Sequence, residues 1–209
     1  IKASGELKTK PTQHSVKELR SLGIGPNLLI CRSEQELPKD EKEKIALFCS
    51  VHKNNVISMH DVETVYSIPI LLNKQKADQI ILKKLNINSK NPNLLDWKGV
   101  VRAKLQPRGE TNIAFVGKYT ELKDSYKSIN EALDHAGIKN KIKVNINFVE
   151  AETITRRNVK TILKDCDGVL VPGGFGIRGV EGMVNACKFA RENQIPYLGI
   201  CLGMQVALI

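Results

Sequence analysis

The chain has 209 residues, 42% of them hydrophobic and 26% charged, with a formal net charge of +10. That length suits one large or two small domains around an ordinary core, and no apolar run approaches the roughly 20 residues of a membrane span. No basic-then-apolar leader marks export. The five cysteines, Cys31, Cys49, Cys166, Cys187 and Cys201, are an odd number without C-x-x-C spacing, which argues against a disulfide framework or a metal knuckle and suits reduced thiols in a cytoplasmic protein.

The positive charge is uneven. Residues 1–111 carry 19 Lys+Arg against 12 Asp+Glu, and residues 112–209 carry 13 against 10. Such an excess serves nucleic acids or nucleoside triphosphates. Only 5% of residues are aromatic and none interleave with the basic residues as stacking platforms, so small phosphates are favoured. The chain opens at Ile1 rather than Met, and Ile209 falls about two turns into a helix whose mean length is about three. The expectation is an internal segment of a longer protein.

In chain order, Gly5-Glu-Leu-Lys8-Thr9-Lys10-Pro11-Thr12-Gln13-His-Ser15 reads as a loop. Held extended by Pro11, it would project Lys8 and Lys10 to one side, with hydroxyl and amide groups between them. That set suits a triphosphate, although a solvated basic loop has the same composition. Ser15-Val-Lys-Glu18 reads as a capping box opening a helix with Val16, Leu19 and Leu22 inward. Leu28–Cys31 reads as a buried strand. Asp40–Glu43 caps a second helix carrying Lys44, Ile45, Leu47 and Phe48. Val56–Met59 is another strand, His60-Asp61-Val62 stands at a helix entrance with Asp61 as its cap, and Ile80–Leu85 is helical. Strands alternating with helices predict a parallel α/β sheet. From Asn86 to Glu110 the pattern fades into a connector with one helix around Leu94–Lys104.

A second α/β pattern follows. Ile113–Val116 is a strand ending in Gly117-Lys118-Tyr119, Asp124–Lys127 leads a helix stopped by Gly137, and Val144–Val149 alternates as a strand. Val159–Leu163 is helical, and the apolar strand Gly168–Val171 runs into Pro172-Gly-Gly174-Phe-Gly176-Ile-Arg178-Gly179. An amphipathic helix with Met183, Ala186, Cys187 and Ala190 comes next. The last strand, read as buried from Tyr197 to Ile200, enters Gly199-Ile-Cys201-Leu-Gly203 and a helix. This is the strand, tight turn and helix of a nucleophile elbow with Cys as nucleophile. A helix N-terminus favours thiolate, Leu202 N–H supplies one oxyanion donor, and the Gly-rich turn supplies a second. A buried core Cys beside a packing turn is the plainer alternative. Both turns lie at carboxyl ends of strands, where ligands of such sheets bind. His14, His52, His60 and His135 all precede Cys201, whereas the base of an elbow fold follows its nucleophile. A complete triad is therefore not expected within these residues, and Val206 and Leu208 are expected to lie uncovered.

Gly199-Ile-Cys-Leu-Gly-Met-Gln205 with Val171-Pro-Gly-Gly-Phe-Gly-Ile-Arg-Gly179 resembles the triad-type glutamine amidotransferases, and Gly5–Ser15 narrows the resemblance to the CTP synthase family. It covers essentially the whole chain. The resemblance implies two parallel-sheet α/β units, a P-loop-type amidoligase portion followed by a flavodoxin-like class I glutaminase portion. Their bounds would be 1–86 for the amidoligase part, 87–111 for a linker and 112–209 for the amidotransferase part. It implies formation of CTP from UTP, ATP and glutamine. By the same resemblance, glutamine would be hydrolysed at the Cys through a γ-glutamyl thioester, and ammonia would pass internally to a uracil activated by ATP with Mg²⁺. The resemblance further implies activation by GTP and inhibition by CTP in a homotetramer, and the expectation is a cytoplasmic protein that engages neither nucleic acid nor membrane.

Residue by residue, Cys201 matches the nucleophile, and Gly174, Leu202, Gly203, Met204 and Gln205 match glutamine and oxyanion positions. Lys8, Thr9, Lys10, Pro11, Thr12, Gln13 and Lys44 match holders of UTP or CTP phosphates across a subunit interface. His60, Asp61 and Val62 match a segment lining the ATP adenine, and Gly176–Gly179 matches part of a GTP-responsive loop. The P-loop, the Mg²⁺-binding acids, the glutaminase His and Glu, and a further glutamine-binding acid have no counterpart here. Two alternatives stand beside this reading: a glutaminase domain fused to another ligase, and a basic nucleic-acid-binding module.

Overall fold

The computed structural model describes residues 2–3, 6–118 and 123–209; Gly5 and Tyr119 lie outside them. The chain divides into two compact units, 1–101 and 102–209.

The first unit starts with a short antiparallel pair, β1 (Lys2–Ala3) and β2 (Glu6–Leu7). Helix α1 (Lys10–Ser21), strand β3 (Leu29–Ser33), helix α2 (Lys39–Cys49) and strand β4 (Val56–His60) follow. Helices α3 (Ile68–Lys74), α4 (Ala77–Lys84) and α5 (Leu95–Leu105) complete it, the unit boundary falling within α5. β3 and β4 pair in parallel from Leu29↔Val56 to Ser33↔His60. Val16, Cys31, Leu37, Ile45, Ala46, Cys49 and Val56 form one cluster that welds α1 and α2 to the strands. On the free side of β4, one side chain engages both backbone groups of Ser58. Gln75 Oε1 accepts from Ser58 N and Gln75 Nε2 donates to Ser58 O, both at 2.9 Å, as a neighbouring strand would.

Several local expectations change here. α1 begins at Lys10, not at Ser15, because Pro11 sits in the first turn, where its missing N–H costs nothing. Gln13 N closes that turn on Thr9 O at 3.1 Å, so Lys8 and Lys10 do not line an extended loop. Ser15 is mid-helix and donates back to Pro11 O. β3 alternates buried and exposed residues rather than lying fully buried. On α2 the buried residues are Ile45, Ala46 and Cys49, while Leu47 and Phe48 are exposed. Asp61 caps no helix; it pairs with Arg32, and the next turn is capped by Thr64, which accepts from Tyr66 N.

The second unit is a four-stranded parallel sheet built from β5 (Glu110–Gly117), β6 (Lys143–Glu150), β7 (Gly168–Val171) and β8 (Tyr197–Gly199). The spatial order is β6-β5-β7-β8, the second-first-third-fourth winding of a flavodoxin-like sheet. Helices α6 (Lys127–Asn140), α7 (Val159–Ile162), α8 (Val180–Glu192) and α9 (Leu202–Val206) connect and follow the strands. Strand alternation divides the core. Ala114, Val116, Val169 and Val171 meet Met183, Ala186, Phe189 and Ala190 of α8, while Phe115 turns the other way, its ring 4.7 Å from Tyr126 and 5.0 Å from Phe148.

Here too the readings are corrected. α6 passes through Gly137 and ends only at Lys141, which takes the left-handed conformation with φ 58°, a common helix terminator. β8 is half-exposed, Leu198 and Ile200 showing 56% and 37% of their surface. Val206 is buried in the core, since α9 folds back on β7 and β8; Leu208 is exposed as expected.

Candidate active site

The second sheet places three turns at the carboxyl ends of β5, β7 and β8. Register does this: β7 pairs with β5 up to Phe115↔Leu170 and with β8 up to Val171↔Gly199, so all three strands finish at one rim.

At the β8 turn, Cys201 has φ 51° and ψ −105°, and its side chain is exposed. A non-glycine residue pays about 1–3 kcal/mol for such a backbone. It persists because the flanks are tightly fixed. Ile200 N donates to Val171 O at 2.9 Å, Gly203 N to Ile200 O at 3.0 Å and Gln205 N to Cys201 O at 3.1 Å. Tyr197 Oη donates to Gly203 O at 2.7 Å, and burial pushes its phenol well above the usual range. The two elbow glycines are required by close approach. A Cβ on Gly199 would lie 2.4 Å from the carbonyl carbon of Gly203, and one on Gly203 would lie 2.1 Å from Val171 O. The helix therefore crosses the strand end at backbone contact, which lifts Cys201 off the sheet. Leu202, the first residue of α9, has no carbonyl one turn back to engage its N–H.

The β7 turn lies against the sulfur. A Cβ on Gly173 would be 3.5 Å from Cys201 Cβ and 4.0 Å from its Sγ, and one on Gly174 would be 3.5 Å from Leu202 Cδ2. The turn is tied to the β5 end by Lys118, whose Nζ donates to Phe175 O at 2.9 Å and to Gly176 O at 2.8 Å. Lys118 is only 3% exposed. Sequence reading named it merely as the residue after a strand; its signal was a lysine directly following an apolar strand and a glycine. Beyond the tie, Phe175 and Ile177 stand out in solvent at 97% and 94% exposure. Arg178 in the same turn is held by Glu152 and lies 3.9 Å from Glu150.

Cys201, Gly174, Leu202, Gly203, Met204 and Gln205 are thus brought together, with Gly203 buried and Met204 and Gln205 exposed. This rim can do acyl chemistry in outline: a thiol on a strained turn with a helix start and a glycine turn beside it.

Two family models match. The one described as CTP synthase N-terminus covers residues 1–87, and the one described as glutamine amidotransferase class-I covers residues 121–209. The chain belongs to the CTP synthase family. A solved structure described as the Trypanosoma brucei CTPS glutaminase domain with bound acivicin is 43% identical to the matched part, with a TM-score of 0.45. The match covers 47% of this chain and 39% of that one, so the chain spans well under half the length of that relative.

Within the CTP synthase N-terminal match, Lys8 and Lys10 are exposed, Thr9 is buried, and Pro11, Thr12 and Gln13 form the first turn of α1. Gln13 Nε2 donates to Thr9 Oγ1 at 3.1 Å. Lys44 lies on α2, which packs on α1, 3.8 Å from Glu41. His60 ends β4 with a buried Nδ1 that has no hydrogen-bond partner among the described residues, Asp61 is engaged by Arg32, and Val62 is half-buried. Among the described residues no three His, Cys, Asp or Glu side chains cluster as a metal site, and no helix is long and apolar enough to cross a membrane.

Proposed function

We propose that the protein containing this chain makes CTP by ATP-dependent amination of UTP, with ammonia released from glutamine at Cys201 and passed internally to the amidoligase site. The observation that carries this is the elbow beside the Gly173-Gly174 turn, joined on one chain to the matched CTP synthase N-terminal segment. In this reading the Cys201 sulfur attacks the glutamine carboxamide carbon. Leu202 N–H and the Gly174 turn hold the oxyanion, and Gln205 and Met204 border the substrate. Ammonia leaves as the γ-glutamyl thioester forms, and water then releases glutamate.

In the first unit, Lys8, Lys10 and Lys44 would hold UTP or CTP phosphates as point charges, with Thr9, Thr12 and Gln13 orienting them and Pro11 fixing the turn. His60, Asp61 and Val62 would border the adenine of ATP, where the unpartnered Nδ1 of His60 can meet a polar group of the base. Mg²⁺ would be held by groups other than those described here. GTP would act on the turn around Arg178, and the working assembly would be a homotetramer in the cytoplasm.

Amide exchange with added nucleotide tests the reading. Protection of residues 8–13 and 44 by UTP and CTP is expected. Absence of any nucleotide effect there would favour the glutaminase fused to a different ligase.

A further inference from the structure

The first unit holds a cavity of about 530 Å³ at the amino end of β4. It is lined by Val56, Ile57 and Ile80 and by Lys42, Lys53, Lys74, Lys76 and Lys83, with no acidic side chain in the lining. Like charges held together around one concavity raise its potential and repel one another unless an anion sits among them.

The five are not equivalent. Lys42 Nζ donates to Gln75 Oε1 at 3.1 Å, which ties it to the amide that closes the β4 edge. Lys53 lies 3.4 Å from Glu43. Lys74, Lys76 and Lys83 make no ion pair among the described residues. Lys76 is also held at φ 60°, ψ 25°, the left-handed conformation, which glycine would adopt without strain. Lys76 directly follows the C-cap of α3, and its side chain joins the four other lysines that line the cavity.

The site is separate from those discussed above. Val56 and Ile57 begin β4 and His60 ends it, so the cavity and the His60–Val62 segment lie at opposite ends of a strand roughly 13 Å long. Lys8 to Gln13 and Lys44 take no part in its lining.

We propose that this cavity binds a small polyphosphate-bearing anion. Lys74, Lys76 and Lys83 engage the phosphates, Gln79 and Asn54 offer hydrogen bonds at the wall, and Ile80 supports the apolar remainder of the ligand. The proposal does not depend on the reaction assigned to Cys201.

Calorimetric titration with inorganic tripolyphosphate tests it, on the 209-residue chain carrying Lys8→Gln and Lys10→Gln so that α1 cannot contribute. Saturable binding that weakens with salt is expected. Adding Lys74→Gln, Lys76→Gly and Lys83→Gln should weaken it roughly tenfold, whereas Lys139→Gln, Lys143→Gln and Lys160→Gln, with the same charge change in the second unit, should leave it within about twofold. Lys76→Gly alone should raise the thermal midpoint while weakening binding, which separates ligand loss from unfolding. No binding by the starting chain, equal losses in both triple variants, or equal losses for a single-stranded RNA probe would overturn the proposal.

Discussion

Lys118→Met isolates the contact that ties the Gly-rich turn to the β5 end. Methionine keeps the length of the apolar stem, whose Cδ lies 3.7 Å from where a Cβ on Gly174 would be, and removes only the ammonium. Two hydrogen bonds from a charged donor, at 2.8 and 2.9 Å, are lost, each worth about 1.5–3 kcal/mol. Against this, an ammonium in a residue 3% exposed carries a desolvation cost of several kcal/mol that the substitution removes. Phe175 and Gly176 are exposed, so their freed carbonyls can turn to water and leave no buried orphan. The two terms act on different equilibria. Global unfolding of the second unit should shift by no more than about 1–2 kcal/mol, while local opening of the turn loses its tie. Amide exchange across residues 173–176 should accelerate roughly tenfold to a hundredfold, with the strands β5 and β7 unchanged. Equal acceleration in turn and strands, or none in the turn, would refute the assignment of Lys118 as the tie.

Gly203→Ala should destabilise the second unit by about 2–3 kcal/mol in urea unfolding, because its Cβ would stand 2.1 Å from Val171 O and only backbone movement can relieve it. Gly173→Ala, whose Cβ would meet Cys201 Cβ at an ordinary 3.5 Å, should leave stability within about 0.5–1 kcal/mol yet slow modification of Cys201 by a bulky electrophile. Burial pushes the Cys31 and Cys49 thiols above the usual value of 9.0; Cys49 adds to the effect at Cys31, whereas Lys42 opposes it there and Arg20 opposes it at Cys49. The unfolded chain then loses these protons first. Stability of the first unit should hold below about pH 8 and fall as pH rises through about 9 and beyond, and Cys31→Ala with Cys49→Ala should flatten that fall.

The class of fold and the strand, turn and helix around Cys201 were legible because both rest on local sequence. Uniform apolar content in Gly168–Val171 and the spacing Gly199-x-Cys201-x-Gly203 each encode their element, strand and elbow, within a few consecutive residues. What failed was decided at longer range. Ser15 has the sequence pattern of a capping box but caps nothing, because a proline in the first turn of α1 lets the helix start at Lys10. Leu47 and Phe48 share α2 with Ile45, yet the cluster formed by Val16, Cys31 and Val56 draws in Ile45, Ala46 and Cys49 and leaves the other two exposed. Gly137 looked like a stop and is a buried helical position. Lys118 was invisible as a functional residue because its partners, two carbonyls at 175 and 176, lie nearly sixty positions away.

The central claim is that Cys201 is the nucleophile that frees ammonia from glutamine for a separate amination. In the protein of full natural length, Cys201→Ala should abolish glutamine-dependent CTP formation and leave ammonia-dependent formation intact. Retention of the glutamine-dependent reaction, or loss of both, would contradict it.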